Sequence, residues 1–180
     1  MSASHVRLVV LATVMHLEPA TGYAVRKHLL DQGLEAWGGT SVASTYSVLR
    51  TLTRHGHLEE LDDPTGTRRN TKAYRLTPAG RSEFLVLWDH AIATVDPARP
   101  VGFHVAATLT ALVTKQRYVD GLRRRIAAFE ASPALPPGAP PQVANAARLW
   151  MRLGDAELTW LRETVELVER SDPDFGFLPE

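Results

Sequence analysis

The sequence has no cysteine among its 180 residues. That excludes disulfides, thiolate metal sites, iron–sulfur clusters and a cysteine nucleophile, and it suits a reducing compartment. Long apolar runs are also missing. No stretch reaches the ~18 consecutive apolar residues that a membrane-spanning helix needs. The run Leu8–Leu17 has only His5 and Arg7 before it and no small-x-small cleavage site. It leads straight into a patterned helix, so it reads as a core helix and not a signal peptide. The expected location is the cytoplasm. An excess of charge is absent too, since 20 Lys and Arg balance 20 Asp and Glu. Taken alone, that argues against coating nucleic acid through bulk charge.

Chemistry-bearing motifs are equally scarce. No glycine loop carries a phosphate-binding lysine, and no glycine elbow surrounds a serine. Among the seven histidines, His55, His57 and Glu59 alternate as they would on one strand face. Gly56 separates helix from strand there, and two histidines without a third strong ligand make a poor metal site. No enzymatic activity, cofactor or metal is expected. What is present is ordinary for a globular chain: 44% apolar and 22% charged residues, which excludes wholesale disorder. The length allows one or two domains.

Periodicity organises the chain. Val6, Val9, Val10, Leu11, Val14 and Leu17 recur at helical spacing, with Leu8 and Met15 on a second face, as in a central helix. Glu18-Pro19 ends it. Thr21 can cap a second helix that buries Tyr23, Val25, Leu29 and Leu30 and stops near Gly33. After Trp37-Gly38-Gly39, a third helix is expected from Thr40 or Ser41 to His55, ended by Gly56. A strand at His57–Leu61, turn chemistry at Asp62-Asp63-Pro64-Thr65-Gly66 and a strand at Lys72–Leu76 make a hairpin. Thr77-Pro78 opens a fourth helix with Leu85, Trp88, Ile92 and Val95 on its apolar stripe.

Asp96-Pro97 and Pro100 mark a boundary, giving domains 1–97 and 98–180. The second reads as helices only. Residues 102–113 are strongly apolar, and Thr114 can cap a helix bearing Tyr118, Val119, Leu122, Ile126 and Phe129. Five prolines in Ser132–Pro141 require a loop. A last helix, from about Gln142 to Arg170, would be roughly 44 Å long at 1.5 Å per residue. Its stripe runs through Val143, Ala147, Trp150, Gly154, Leu158, Leu161, Val165 and Val168. One small domain rarely covers so long a stripe, and a partner is the natural outlet.

Three helices followed by a hairpin is the order of a winged helix-turn-helix. On a helical wheel Val42, Tyr46, Leu49, Leu52 and Thr53 fall on one side of the third helix. Ser44, Ser47, Thr51 and Arg54 fall on the other, with Arg50 at the flank. Small hydroxyls and arginine can enter a major groove, donate to phosphates and touch base edges. A solvated surface would look similar, and the hairpin tips the balance. Arg68, Arg69, Lys72 and Arg75 lie there within eight residues with no acid among them. Residues 41–81 carry seven basic and four acidic side chains, net +3, while 82–180 carry ten and thirteen, net −3. Overall neutrality therefore conceals a basic segment on an acidic remainder.

Gly22-Tyr23, Ser44-Thr45-Tyr46-Ser47-Val48-Leu49-Arg50-Thr51-Leu52, Gly56-His57-Leu58 and Ala73-Tyr74-Arg75-Leu76-Thr77-Pro78-Ala79-Gly80-Arg81 follow in order. In these elements residues 5–90 resemble the PadR family of transcriptional regulators. Thr45 and Thr53 stand where that family more often has other residues, and both can pack through their methyl groups. Tyr118-x-x-x-Leu122-Arg123-x-Arg125 and Glu157-Leu158-x-Trp160-Leu161 more weakly resemble its larger subgroup, with a C-terminal helical dimerisation domain. The resemblance implies a homodimeric repressor on a pseudo-palindromic DNA operator. Its DNA contacts would come from Ser41, Ser44, Thr45, Tyr46, Ser47, Arg50, Thr51, Arg54, Arg68, Arg69 and Lys72. A small hydrophobic or phenolic effector is implied near a dimer interface formed by Trp88, Trp150, Leu158, Leu161 and Val165. The competing reading is a winged-helix module that binds protein, not DNA, through the long Trp-bearing helix.

Overall fold

A computed structural model describes residues 3–37, 44–62, 71–96, 100–131, 138, 140–171 and 174–179. The first helix, α1 (Ala3–Leu17), is the central one, with Leu8, Val10, Leu11 and Val14 fully buried. A two-residue strand β1 (Ala20–Thr21) follows. Thr21 then caps α2 (Gly22–Asp31) by accepting from the Ala24 N–H at 3.1 Å. A short helix α3 (Leu34–Trp37) comes next, then α4 (Thr45–Arg54). The expected start of the third helix at Thr40 or Ser41 lies outside the described residues.

Gly56 ends α4 in the left-handed conformation, φ 75°, which a residue without Cβ adopts without strain. Its N–H donates to Thr53 and that of His57 to Leu52, closing the helix end. Strand β2 (Leu58–Asp62) and strand β3 (Lys72–Leu76) pair antiparallel from Leu58 opposite Leu76 to Asp62 opposite Lys72. Strand β1 joins the other edge of β3, giving the order β1-β3-β2. Two residues are too few to show alternation, so β1 exists only through its partner.

Helix α5 (Pro78–Ala93) begins where the sequence indicates, with the Thr77 hydroxyl accepting from Gly80 N–H at 3.0 Å and proline in the first turn. The apolar segment after Pro100 divides into α6 (Val101–Thr108) and a 3-10 turn (Thr110–Leu112). Thr114 caps α7 (Lys115–Glu130) as expected, accepting from Arg117 N–H at 3.3 Å. Helix α8 runs 31 residues, Pro141–Ser171. The hydrophobic core is continuous from α1 through Phe84, Trp88 and Ile92 of α5 to Tyr118 and Leu122 of α7 and Leu161 and Val168 of α8. The architecture is mainly helical with a small antiparallel sheet: a winged helix-turn-helix followed by packed helices.

Candidate nucleic-acid interface

Helix α4 is seated by Thr45, Leu49 and Leu52, each at most 1% exposed. These positions recur at four and three residues and so lie on one face. The opposite side presents Ser47, Arg50 and Arg54 to solvent, with Thr51 half-buried. Ser44 is half-buried at the start of the helix. Thr45, expected among the DNA contacts, instead lies inside the fold at 1% exposed, on the seated face of α4. Thr53 is half-buried and turns its hydroxyl back to the Leu49 carbonyl at 3.0 Å. Tyr46 is intermediate in character. Its ring edge lies against Gly22, and 46% of the residue stays exposed.

The two hairpin strands are braced by charge. Lys72 Nζ donates to Asp62 at 2.9 Å, and Arg75 pairs with Glu59 at 2.8 Å across the strands. The lysine holds the Asp62 carboxyl below its ordinary value by hydrogen bonding and charge, and Asp62 raises Lys72 in return. Burial raises the Tyr74 phenol, Glu60 adds to the rise and Arg50 opposes it. Ser41, Arg68 and Arg69 lie outside the described residues.

Of two anchoring residues, Glu18 carries no motif in the sequence, whereas Gly80 stands in the last of the PadR-like elements. Glu18, read only as a helix terminator, accepts from the Leu76 N–H at 3.0 Å and pairs with Arg81. It thereby pins the end of α1 to the junction of β3 and α5. Gly80 lets the first turn of α5 lie on the end of α4. A Cβ there would sit 1.9 Å from the His57 carbonyl oxygen, which already accepts from the Thr77 N–H at 3.1 Å. Hairpin and α4 are thus fixed to each other through backbone.

Of the residues proposed for a dimer or effector surface, Trp88, Leu161 and Val165 lie in the protomer's own core. The Trp88 indole donates to the Ala106 carbonyl at 2.9 Å. Leu158 is half-buried and Trp150 is exposed. Helix α8 changes character along its length. Leu149, Trp150, Met151 and Leu153 are each at least 58% exposed, whereas Leu161 and Val168 are fully buried. Arg125, also buried, joins the two C-terminal motifs by pairing with Glu157. It donates to the Thr94 carbonyl and stacks its guanidinium 3.8 Å from the Phe103 ring centre. As the last of three consecutive arginines, it carried no sign of that burial in the sequence. Among the described residues no group of three metal-ligating side chains occurs, and no helix is long and apolar enough to cross a membrane.

Known proteins bear on this arrangement. Residues 10–85 match the family model described as "Transcriptional regulator PadR-like family". No curated protein matches the chain. A solved structure, described as that of Bacillus subtilis PadR in complex with operator DNA, is similar at 16% identity. That similarity covers 89% of this chain and 98% of the other, with a TM-score of 0.37. Residues 10–85, the winged-helix part of this chain, are thus similar to the PadR-like family of transcriptional regulators.

Proposed function

We propose that the protein is a homodimeric, sequence-specific DNA-binding regulator of transcription that acts as a repressor and responds to an effector. The observation that carries this reading is α4, seated by one apolar face and presenting Ser47, Arg50 and Arg54 on the other, beside a hairpin whose second strand carries Lys72 and Arg75. Arginine can read guanine edges by two hydrogen bonds, and serine tolerates close approach. Lys72, with Arg68 and Arg69 from the sequence between the two strands, supplies phosphate contacts. Two copies of α4 would enter successive major grooves about 34 Å apart.

Dimerisation is supported by the apolar surface that Leu149, Trp150, Met151 and Leu153 leave uncovered on α8. An effector that favours one dimer geometry would shift operator affinity by its difference in affinity for the two.

The experiment is gel retardation with the upstream DNA of the protein's own gene at two salt concentrations. Sequence-preferring retardation that weakens steeply with salt is expected, because neutralised phosphates release counterions. Absence of such retardation at low salt sinks the regulator reading in favour of a protein-binding module. Replacing Arg68 and Arg69 by Ala should weaken binding to all sequences and flatten the salt slope by about one unit for each phosphate left without its arginine. Unchanged affinity would remove the hairpin from the interface.

A further inference from the structure

Helix α8 packs on α7, and α7 packs on α5. The second contact is close. A Cβ on Gly121 of α7 would lie 2.8 Å from Cγ2 of Ile92 and 3.2 Å from Cη2 of Trp88, both on α5. Two arginines of α7 grip the same helix, Arg117 reaching Asp89 at 2.7 Å and Arg124 reaching it at 3.0 Å. Toward α8 other charges pair. Arg123 meets Glu169, and Arg162 of α8 reaches back to Glu130 at 2.9 Å.

Arg125 does both. Its guanidinium pairs with Glu157 of α8 and donates to the carbonyl of Thr94, the residue that ends α5. It also stacks 3.8 Å from the ring centre of Phe103 on α6, and Trp160 of α8 meets that ring edge-on, centres 5.9 Å apart. A planar guanidinium holds several acceptors at fixed angles, whereas an ammonium is a point charge on a flexible stem. At 1% exposure the side chain cannot exchange these partners for water unless the helices part. Helix α5 is pinned in turn to the winged-helix part, since Gly80 backs onto His57 and Arg81 holds Glu18. A continuous line of contacts therefore runs from α8 through Arg125 to the end of α4.

We propose that Arg125 is a positioning residue that fixes the winged-helix part relative to α8, and so sets the distance and angle between the two α4 helices of a dimer. The inference deepens the dimeric DNA-binding reading above and rests on it. One base pair inserted between half-sites moves the second half-site by about 3.4 Å and turns it by about 34°. A rigid joint rejects that change, and a loose joint follows it.

The test uses the full chain and Arg125→Met with Glu157→Leu, a joint change that leaves no buried charge unpaired. The chain has no cysteine, so Val86→Cys, at a position 63% exposed on α5, takes one nitroxide label per copy. Double electron–electron resonance should give a narrow distance distribution between copies without the joint change and one about twice as broad with it. The upstream DNA fragment that the unaltered protein retards, lengthened by one base pair between its half-sites, should bind that protein about tenfold more weakly. The joint variant should bind both spacings within about threefold of each other. Arg123→Ala breaks a contact of α7 with α8 through a side chain that pairs only with Asp120 and Glu169, and should match the unaltered protein in both readouts. If the joint variant fails to fold, Arg125→Lys makes the same test, because lysine keeps the charge and loses the fork. A narrow distribution or a full spacing penalty in a folded dimeric variant, or equal loosening in Arg123→Ala, would each overturn the proposal. Absence of DNA retardation or of any distance between copies in the unaltered protein would sink the dimeric regulator reading and this inference with it.

Discussion

Gly22 and Tyr46 meet edge to backbone: a Cβ on Gly22 would lie 2.8 Å from Cε1 of the tyrosine ring and 3.5 Å from Leu49 Cδ1. The first residue of α2 thereby sets where the ring of α4 lies. Gly22→Ala must push the ring outward. Because the ring is half exposed, it can yield, and the stability cost should stay within about 1 kcal/mol. On the proposed DNA-binding reading, operator affinity should fall by a larger factor, since Tyr46 adjoins the exposed Ser47 and Arg50 of α4. Urea unfolding and gel retardation of the same variant separate the two effects. Gly80→Ala should behave oppositely. The obstacle there is the His57 backbone oxygen at 1.9 Å, which cannot rotate away. A loss of about 3 kcal/mol or more is expected in the same unfolding assay.

If Lys72 contacts DNA as proposed, Asp62 competes for it. Asp62→Asn should free the ammonium for phosphate, raising affinity for all sequences and steepening the salt slope by about one unit. The pH sign follows from the lowered carboxyl. The pair contributes stability above the ordinary Asp value of 3.8 and loses it as pH falls through the lower folded value. Both groups are open to solvent, so the contribution to folding is small. An NMR titration of the Asp62 carboxyl should give a midpoint below 3.8, returning to that value in Lys72→Ala.

Arg125 and Glu157 should fail singly and tolerate joint replacement. Removing one partner leaves an uncompensated charge in a site where the arginine side chain is 1% exposed. Glu157→Leu is expected to cost about 3 kcal/mol by chemical denaturation. Arg125→Met with Glu157→Leu should cost clearly less than the two single changes added together. An additive result would mean that the pair carries no coupling.

Assembly is best tested on the exposed part of α8. Deleting residues 142–180 would also strip Leu161, Val165 and Val168 from the core and so confound folding with association. Trp150→Glu with Leu153→Asp changes only exposed positions. By sedimentation velocity the double variant should run as a folded monomer. A variant that remained dimeric would put the interface elsewhere.

Much of this protein can be read along one dimension. Helix caps at Thr21, Thr77 and Thr114 depend on a hydroxyl and the next three residues, and all three form as local chemistry requires. The hairpin strand Lys72–Leu76 shows itself by alternation, and the apolar face of α4 by its period. Other features depend on neighbours distant in the chain. Strand β1 needs β3 to exist, and Glu18 becomes a clamp only where Leu76 and Arg81 arrive beside it. The stripe of α8 looks uniform in sequence, yet Leu161, Val165 and Val168 are spent on the chain's own core while Val143 and Trp150 stay outside. Periodicity determines that a face is apolar. Which part of that face finds a partner within the same chain depends on where α7 ends and how Arg125 draws Glu157 inward, and tertiary packing alone decided that.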